Sequence, residues 1–253
     1  MSQSLDISDR NGIRHLAMTE VPRRGNPLSA ELINALHDAV LAAENDENIK
    51  ALVLSGTERF FSVGADLRDV DRLTATEAVL ADWLAEFDRI ARSRKPIVAA
   101  VRGHAIGGGF ELALACDMIV AAEDAQLSLP ETGIGVIAGQ GGTQRLIQLA
   151  GKAIATDLIL TGRVLSGSEA KALGVVARTA GPEKVIETAQ EVAEAIAARS
   201  TVSVRFAREV LWEASEGHLR QSFCIERLLA SLILDTDERK KRVGEFLAKR
   251  SAE

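Results

Sequence analysis

Three consecutive glycines, Gly107-Gly108-Gly109, stand between two apolar runs and directly before Phe110-Glu111. Upstream, Lys95-Pro96-Ile97-Val98-Ala99-Ala100-Val101 reads as a buried strand. Downstream, Leu112-Ala113-Leu114-Ala115-Cys116 reads as a helix. A strand that runs into glycines and then opens a helix points to a fold in which β and α elements alternate. The turn also leaves backbone N–H groups at a helix N-terminus without intrahelical partners, ready to receive an anion. Glycine lets a ligand approach that main chain closely. An anion cradle with a glutamate beside it points to chemistry on a carbonyl.

The rest of the first half supports an α/β core. Leu5-Asp6-Ile7 and Ile13–Met18 flank Asn11-Gly12, a hairpin signal. A helix follows, capped by Ser29, with Leu32, Leu36 and Val40 on one face. Lys50–Ser55 reads as a short buried strand leading to Phe60-Phe61-Ser62-Val63-Gly64-Ala65-Asp66, a second place where glycine follows a strand. A helix is expected around Ala78–Ile90, and Met118–Ala122 is another strand. Ser166-Gly167-Ser168-Glu169 matches a capping box whose helix stops at Gly174. Pro182 occupies a first-turn position ahead of Val185, Ile186, Ala189, Val192, Ala193 and Ile196 at helical spacing. From Thr201 onward only helical periodicity remains, with three helices expected at about Ser203–Ala214, His218–Leu234 and Asp237–Arg250. Residues 1–200 are therefore read as the catalytic core. Residues 201–253 are read as a helical region too small for a good core alone, serving packing and oligomerisation.

Composition narrows the function classes. The chain has 253 residues, 47% apolar and 26% charged, with a net charge of −6 and no basic block. Nucleic acid is not an expected partner. The longest apolar runs, such as Leu228–Leu234, are too short to span a bilayer. The first residues carry no basic or apolar signal segment, so a cytoplasmic location is expected. Cys116 and Cys224 both lie in apolar helical patterns and read as reduced core residues. No His/Cys cluster has metal-ligand spacing.

Three stretches could carry chemistry: Phe61–Leu67, Gly107–Glu111, and Leu129-Pro130-Glu131 with the glycine-rich run Gly133–Arg145 that follows. Gly133, Gly135 and Gly139 do not form a dinucleotide fingerprint, and no Lys-Ser/Thr follows a glycine loop. G-x-S-x-G is absent, which removes the serine-hydrolase elbow. His104 lies near the glycine cluster without a nucleophile in context and reads as a loop or packing histidine. Glu111 and Glu131 each admit a structural reading as well, as carboxylates in the first turn of a helix.

Gly64-Ala65-Asp66, Gly107-Gly108-Gly109-x-Glu111-Leu112-Ala113, Cys116-Asp117, Pro130-Glu131 and Gly141-Gly142-Thr143-Gln144-Arg145 occur in that order and spacing. Together they resemble the crotonase family, the enoyl-CoA hydratase/isomerase group. The match runs from about Val21 to Arg178 and resumes weakly at the C-terminus. The resemblance implies a crotonase-like ββα spiral core with a C-terminal helical appendage. It also implies action on an acyl-CoA thioester, most like an enoyl-CoA hydratase of fatty acid metabolism. No metal or redox cofactor is implied, since coenzyme A is part of the substrate. A homo-oligomer, trimer or dimer of trimers, is implied too.

Carried over residue by residue, the oxyanion hole would be formed by the amides of Ala65 and Gly108. Glu111 would be the general base toward water attacking C3, Glu131 would handle the proton at C2, and Gly139 would help hold the water. Syn addition of water needs one group to take a proton and one to give it, and two carboxyl groups in a dry site push at least one pKa upward. Ala65, Arg68, Phe246 and Lys249 match positions that contact coenzyme A. Ala138 and Gln140 depart from the Pro and small residue found in many hydratases, so the acyl group accepted stays open. Two other readings stay open: a Δ3,Δ2-enoyl-CoA isomerase or other enolate-forming enzyme, which needs only the Glu131-type carboxylate, and a non-catalytic acyl-CoA binding subunit.

Overall fold

A computed structural model describes residues 5–19, 25–66, 74–80, 86–216, 225, 227–232, 236–238 and 241–243. They belong to two compact units, Met1–Glu194 and Ala195–Glu253.

The first unit opens with the hairpin β1 (Leu5–Arg10) and β2 (Ile13–Met18), antiparallel with Arg10 opposite Ile13. Asn11 and Gly12 both have positive φ, 53° and 76°, as a two-residue turn matching strand twist requires. Helix α1 (Ala30–Asn45) starts at Ser29, whose hydroxyl accepts from the Leu32 amide, and it buries Leu32, Leu36 and Val40. Strands β3 (Ala51–Ser55), β5 (Ile97–Val101) and β7 (Met118–Ala122) lie parallel at the centre of a six-stranded sheet ordered β1-β2-β3-β5-β7-β10, where β10 is Arg178–Ala180. Every residue of β3 and β5 is buried. That explains why they read as unbroken apolar runs rather than alternating ones.

The second sheet is built from short strands: β4 (Phe60–Ser62), β6 (His104–Ile106), β8 (Gln126–Ser128) and β9 (Leu165–Ser166), in the order β4-β6-β8-β9. Strands β4, β6 and β8 are parallel and β9 is antiparallel to β8. Each successive pair, β3–β4, β5–β6 and β7–β8, sends its first strand to the large sheet and its second to the small one. Helical segments follow each pair: α2 (Ala75–Leu80) and α3 (Glu86–Ala91) after β4, α4 (Gly108–Ala115) after β6, and a 3-10 turn (Glu131–Ile134) with α5 (Gly142–Thr161) after β8. This is the ββα spiral, and its small sheet carries the site-bearing turns at the ends of β4, β6 and β8.

Several details differ from expectation. The strand entering the glycines is β6, not β5, because three residues are too few to show a periodicity. Cys116 is the C-cap of α4 rather than an interior helical residue, though it is buried; Cys224 lies outside the described residues. The helix expected around Ala78–Ile90 is described as α2 and α3, with 81–85 outside the described residues. No element was expected between Gly141 and Ser166, where α5 lies. Its period is broken at Gly151 (φ 79°, ψ 161°), which divides it into two helical pieces.

The expected capping box is present: Ser166 opens α6 (Gly167–Ala172) and exchanges hydrogen bonds with Glu169. Pro182 begins a short 3-10 turn that leads into α7 (Val185–Ala197). In the second unit α8 (Thr201–Glu216) is described, preceded by Ser200, whose hydroxyl accepts from the Ser203 amide and donates to Glu238. The two further C-terminal helices expected at His218–Leu234 and Asp237–Arg250 fall largely outside the described residues. Those that are described, 225, 227–232, 237–238 and 241–243, are helical.

Candidate active site

The turn after β4 is tied down by polar groups. Asn26 is fully buried with φ 52°, and its Nδ2 donates toward the carbonyls of Met18, Phe60 and Phe61 at 3.1–3.2 Å. The Ser62 hydroxyl donates to the Asn26 carbonyl at 2.7 Å and accepts from the Gly64 amide at 3.1 Å. The Gly64 carbonyl accepts from the Leu28 amide at 2.9 Å. Gly64 itself has φ 84°, which L side chains rarely adopt. A Cβ there would lie 2.8 Å from the Gly108 nitrogen, and a Cβ on Gly108 would lie 3.7 Å from the Ala65 nitrogen. The main-chain amides of Ala65 and Gly108 are therefore neighbours. Gly108 is the first residue of α4, so its N–H is one of that helix's orphan donors. Among the described residues neither amide donates to another protein group.

Glu111 sits in the first turn of α4, only 3% exposed. Its Oε1 accepts from the amides of Gln140 at 2.7 Å and Gly142 at 2.9 Å, at the N-terminus of α5. Gly142 leaves no room for a side chain, since a Cβ there would meet the Glu111 Cγ at 2.8 Å. Burial raises the Glu111 pKa above the ordinary carboxylate value. The amides of Gly142, Gln140 and Gly139, and then the Arg145 charge, pull it partly back.

Glu131 opens the 3-10 turn after β8. Its Oε1 would lie 3.1 Å from a Cβ on Gly107, the N-cap of α4, so this carboxyl borders the helix that carries Glu111. Its Oε2 is buried without a hydrogen-bond partner among the described residues. Burial raises its pKa first, its own main-chain amide lowers it, and repulsion from Glu111 raises it again. The two carboxyl groups thus share one electrostatic environment, both shifted toward the protonated form.

The structure brings together Ala65, Gly108, Glu111, Glu131 and the amide of Gly139. Arg68, Phe246 and Lys249 lie outside the described residues. His104 stacks on Phe60, ring centroids 5.3 Å apart, as a packing residue. Asn26, Ser62 and Arg145 hold the site's turns, yet the sequence reading gave them no role. The available signals were the Asn26-Pro27 dipeptide and an arginine one helical turn beyond Gly141. Among the described residues no group of three or more His, Cys, Asp or Glu could hold a metal ion, and no helix is long and apolar enough to cross a membrane.

The arrangement suits chemistry in which a carbonyl oxygen gains charge between two amides while carboxyl groups move protons nearby. Comparison with known proteins gives the family. The family model described as enoyl-CoA hydratase/isomerase matches residues 9–253. A Rhizobium meliloti protein named "Probable enoyl-CoA hydratase" is 40% identical over all of this chain and 98% of its own length. A mitochondrial enoyl-CoA hydratase of Pongo abelii is 36% identical over 96% of this chain and 84% of its own. A crystal structure from Geobacillus kaustophilus, described as an enoyl-CoA hydratase subunit, superposes with a TM-score of 0.94 at 32% identity, covering 98% of this chain and 96% of that one. With its ββα spiral, its facing amides and a match along almost its whole length, the chain belongs to the enoyl-CoA hydratase/isomerase family.

Proposed function

We propose that the chain is an enoyl-CoA hydratase that adds water syn across the double bond of a trans-2-enoyl-CoA thioester to give the 3-hydroxyacyl-CoA. The observation that carries this reading is the pair of carboxyl groups, Glu111 and Glu131, that repel one another beside the adjacent Ala65 and Gly108 amides. In this reading the thioester oxygen sits between the two amides. Such preorganised donors are each worth about 10²–10³ in rate. Glu111, ionised, accepts a proton from the water that attacks C3. Glu131, protonated, delivers a proton to C2 of the enolate. Each such acid or base contributes about 10²–10⁴-fold. The Gly139 amide faces Glu111, which supports a role for it in steadying the attacking water.

Arg68, Phe246 and Lys249 are proposed to contact the adenosine and phosphates of coenzyme A, and the C-terminal helical region to support a homo-oligomer. The soluble substrate fits a cytoplasmic enzyme of fatty acid metabolism. No cofactor is required by these steps, because protons and water balance them.

Purified protein mixed with crotonyl-CoA should bleach the conjugated enoyl absorbance, with a panel of chain lengths reporting the preferred acyl group. Inactivity over the whole panel would remove hydration. An isomerase would instead convert 3-enoyl-CoA and keep its rate in Glu111→Gln while losing it in Glu131→Gln. A binding subunit would retain CoA esters without turnover.

A further inference from the structure

The Gly141-Gly142-Thr143-Gln144-Arg145 run ends in a cation that the proposed steps do not use. Arg145 lies on α5, its side chain 13% exposed. Its Nη1 donates to the Gln140 carbonyl at 2.8 Å, and its Nη2 stands 4.0 Å from Asp88 Oδ1 of α3. The guanidinium also packs on Gly141, where any Cβ would collide with Nη1. The carbonyl it grips belongs to a residue whose own amide holds Glu111. Gln140 offers its N–H to Glu111 Oε1 and its C=O to Arg145, and Gly142 follows two residues later.

We propose that Arg145 is a positioning residue for the Glu111 carboxylate: by clamping the Gln140 carbonyl it holds the Gln140 and Gly142 amides on Glu111 Oε1. The inference rests on the hydratase reading only for its kinetic consequences. A guanidinium forms planar, directional hydrogen bonds that an ammonium does not reproduce. One arginine can therefore fix the segment toward Gln140 and toward Asp88 together. Among the described residues, the charged groups that face Glu111 are Arg145 from α5 and Glu131 from the 3-10 turn. Asp88 from α3 acts through Arg145.

The sign of the pH effect follows. Arg145 stabilises the ionised form of Glu111, so removing it raises the pH at which Glu111 becomes a base.

The test compares wild type, Arg145→Met and Arg145→Lys in the full-length protein, with folding checked by circular dichroism. The readouts are kcat and KM for crotonyl-CoA, the pH profile of kcat/KM, and the Glu111 side-chain carboxyl titration by ¹³C NMR. Arg145→Met should lower kcat by about tenfold to a hundredfold, change KM by less than about threefold, and move the acid limb and the carboxyl titration to higher pH. Arg145→Lys should return the limb toward its wild-type position while recovering kcat only in part. An unmoved limb and titration in Arg145→Met would overturn the proposal, as would a limb shift in Arg145→Lys as large as in Arg145→Met. If Arg145→Met does not fold, Arg145→Lys decides alone: the proposal needs a wild-type limb with reduced kcat. Wild type inactive on every enoyl-CoA would sink the hydratase reading, and the NMR titration would still judge the role of Arg145.

Discussion

Glu111 is an acid kept where its charge is disfavoured, and that has a measurable cost. Its folded pKa lies above its unfolded one, so the native state holds the proton more tightly than the unfolded chain. Stability is then lost as pH rises from the ordinary carboxylate range through the raised folded value. Glu111→Gln removes a buried charge while its amide oxygen can still accept from Gln140 and Gly142. We expect the variant to melt above wild type at neutral pH, the gain vanishing in acid, while hydration falls at least about a hundredfold. Paired melts at acid and neutral pH, with an activity assay, check both parts. Glu131→Gln should cost at least about a hundredfold as well. Asn26 presents the opposite case: a buried side chain that tethers three carbonyls around the turn after β4. Asn26→Ala should destabilise the protein by about 2–3 kcal/mol in urea unfolding, because the carbonyls of Met18 and Phe61 lose this donor and that of Phe60 keeps Thr57. Glu111, Glu131, Ala65 and Gly108 were singled out in the sequence through the resemblance to the crotonase family, whose ordered motifs they match. Asn26, Ser62 and Arg145 were not, since hydrogen bonds to distant main chain leave no local pattern.

At the scale of elements, legibility followed length and burial. Strand β7 appears in the sequence with the bounds it has in the structure, and β5 is the apolar part of the run read as a strand, since continuous apolar runs signal strands buried on both faces. The second sheet was invisible because its strands are two or three residues long and owe their conformation to neighbours rather than to propensity. Helix α5 was hidden by its own break at Gly151. Helix α1 shows a different non-local device. It has no basic residue in its last turn, and Lys95 supplies one from the segment before β5, donating to the carbonyls of Ala43 and Asp46. Lys95→Met should therefore fray the end of α1 and cost about 2 kcal/mol in a denaturant titration. Loss of less than a few tenths would show that the contact is idle.

For the molecule as a whole, the first unit leaves large apolar side chains in solvent, among them Ile137 at 77% and Leu160 at 68% exposure. Apolar surface of this kind favours association with another copy. The family resemblance implies a trimer or dimer of trimers, so sedimentation or light scattering should give a mass matching one of these for the 27.0 kDa chain. A monomer at micromolar concentration would contradict this. Replacing Ile137 and Leu160 by Ser should lower the assembly order without unfolding the protomer.

The facing amides of residues 65 and 108 carry one more consequence. A hydrogen on a peptide nitrogen belongs to the backbone, so nineteen of the twenty coded amino acids would preserve it at either position. Proline alone erases it. On the proposed reading, natural drift can thus swap the acidic side chains and redirect the chemistry while the proposed grip on the thioester persists, which would make this half of the site a durable chassis for new reactions.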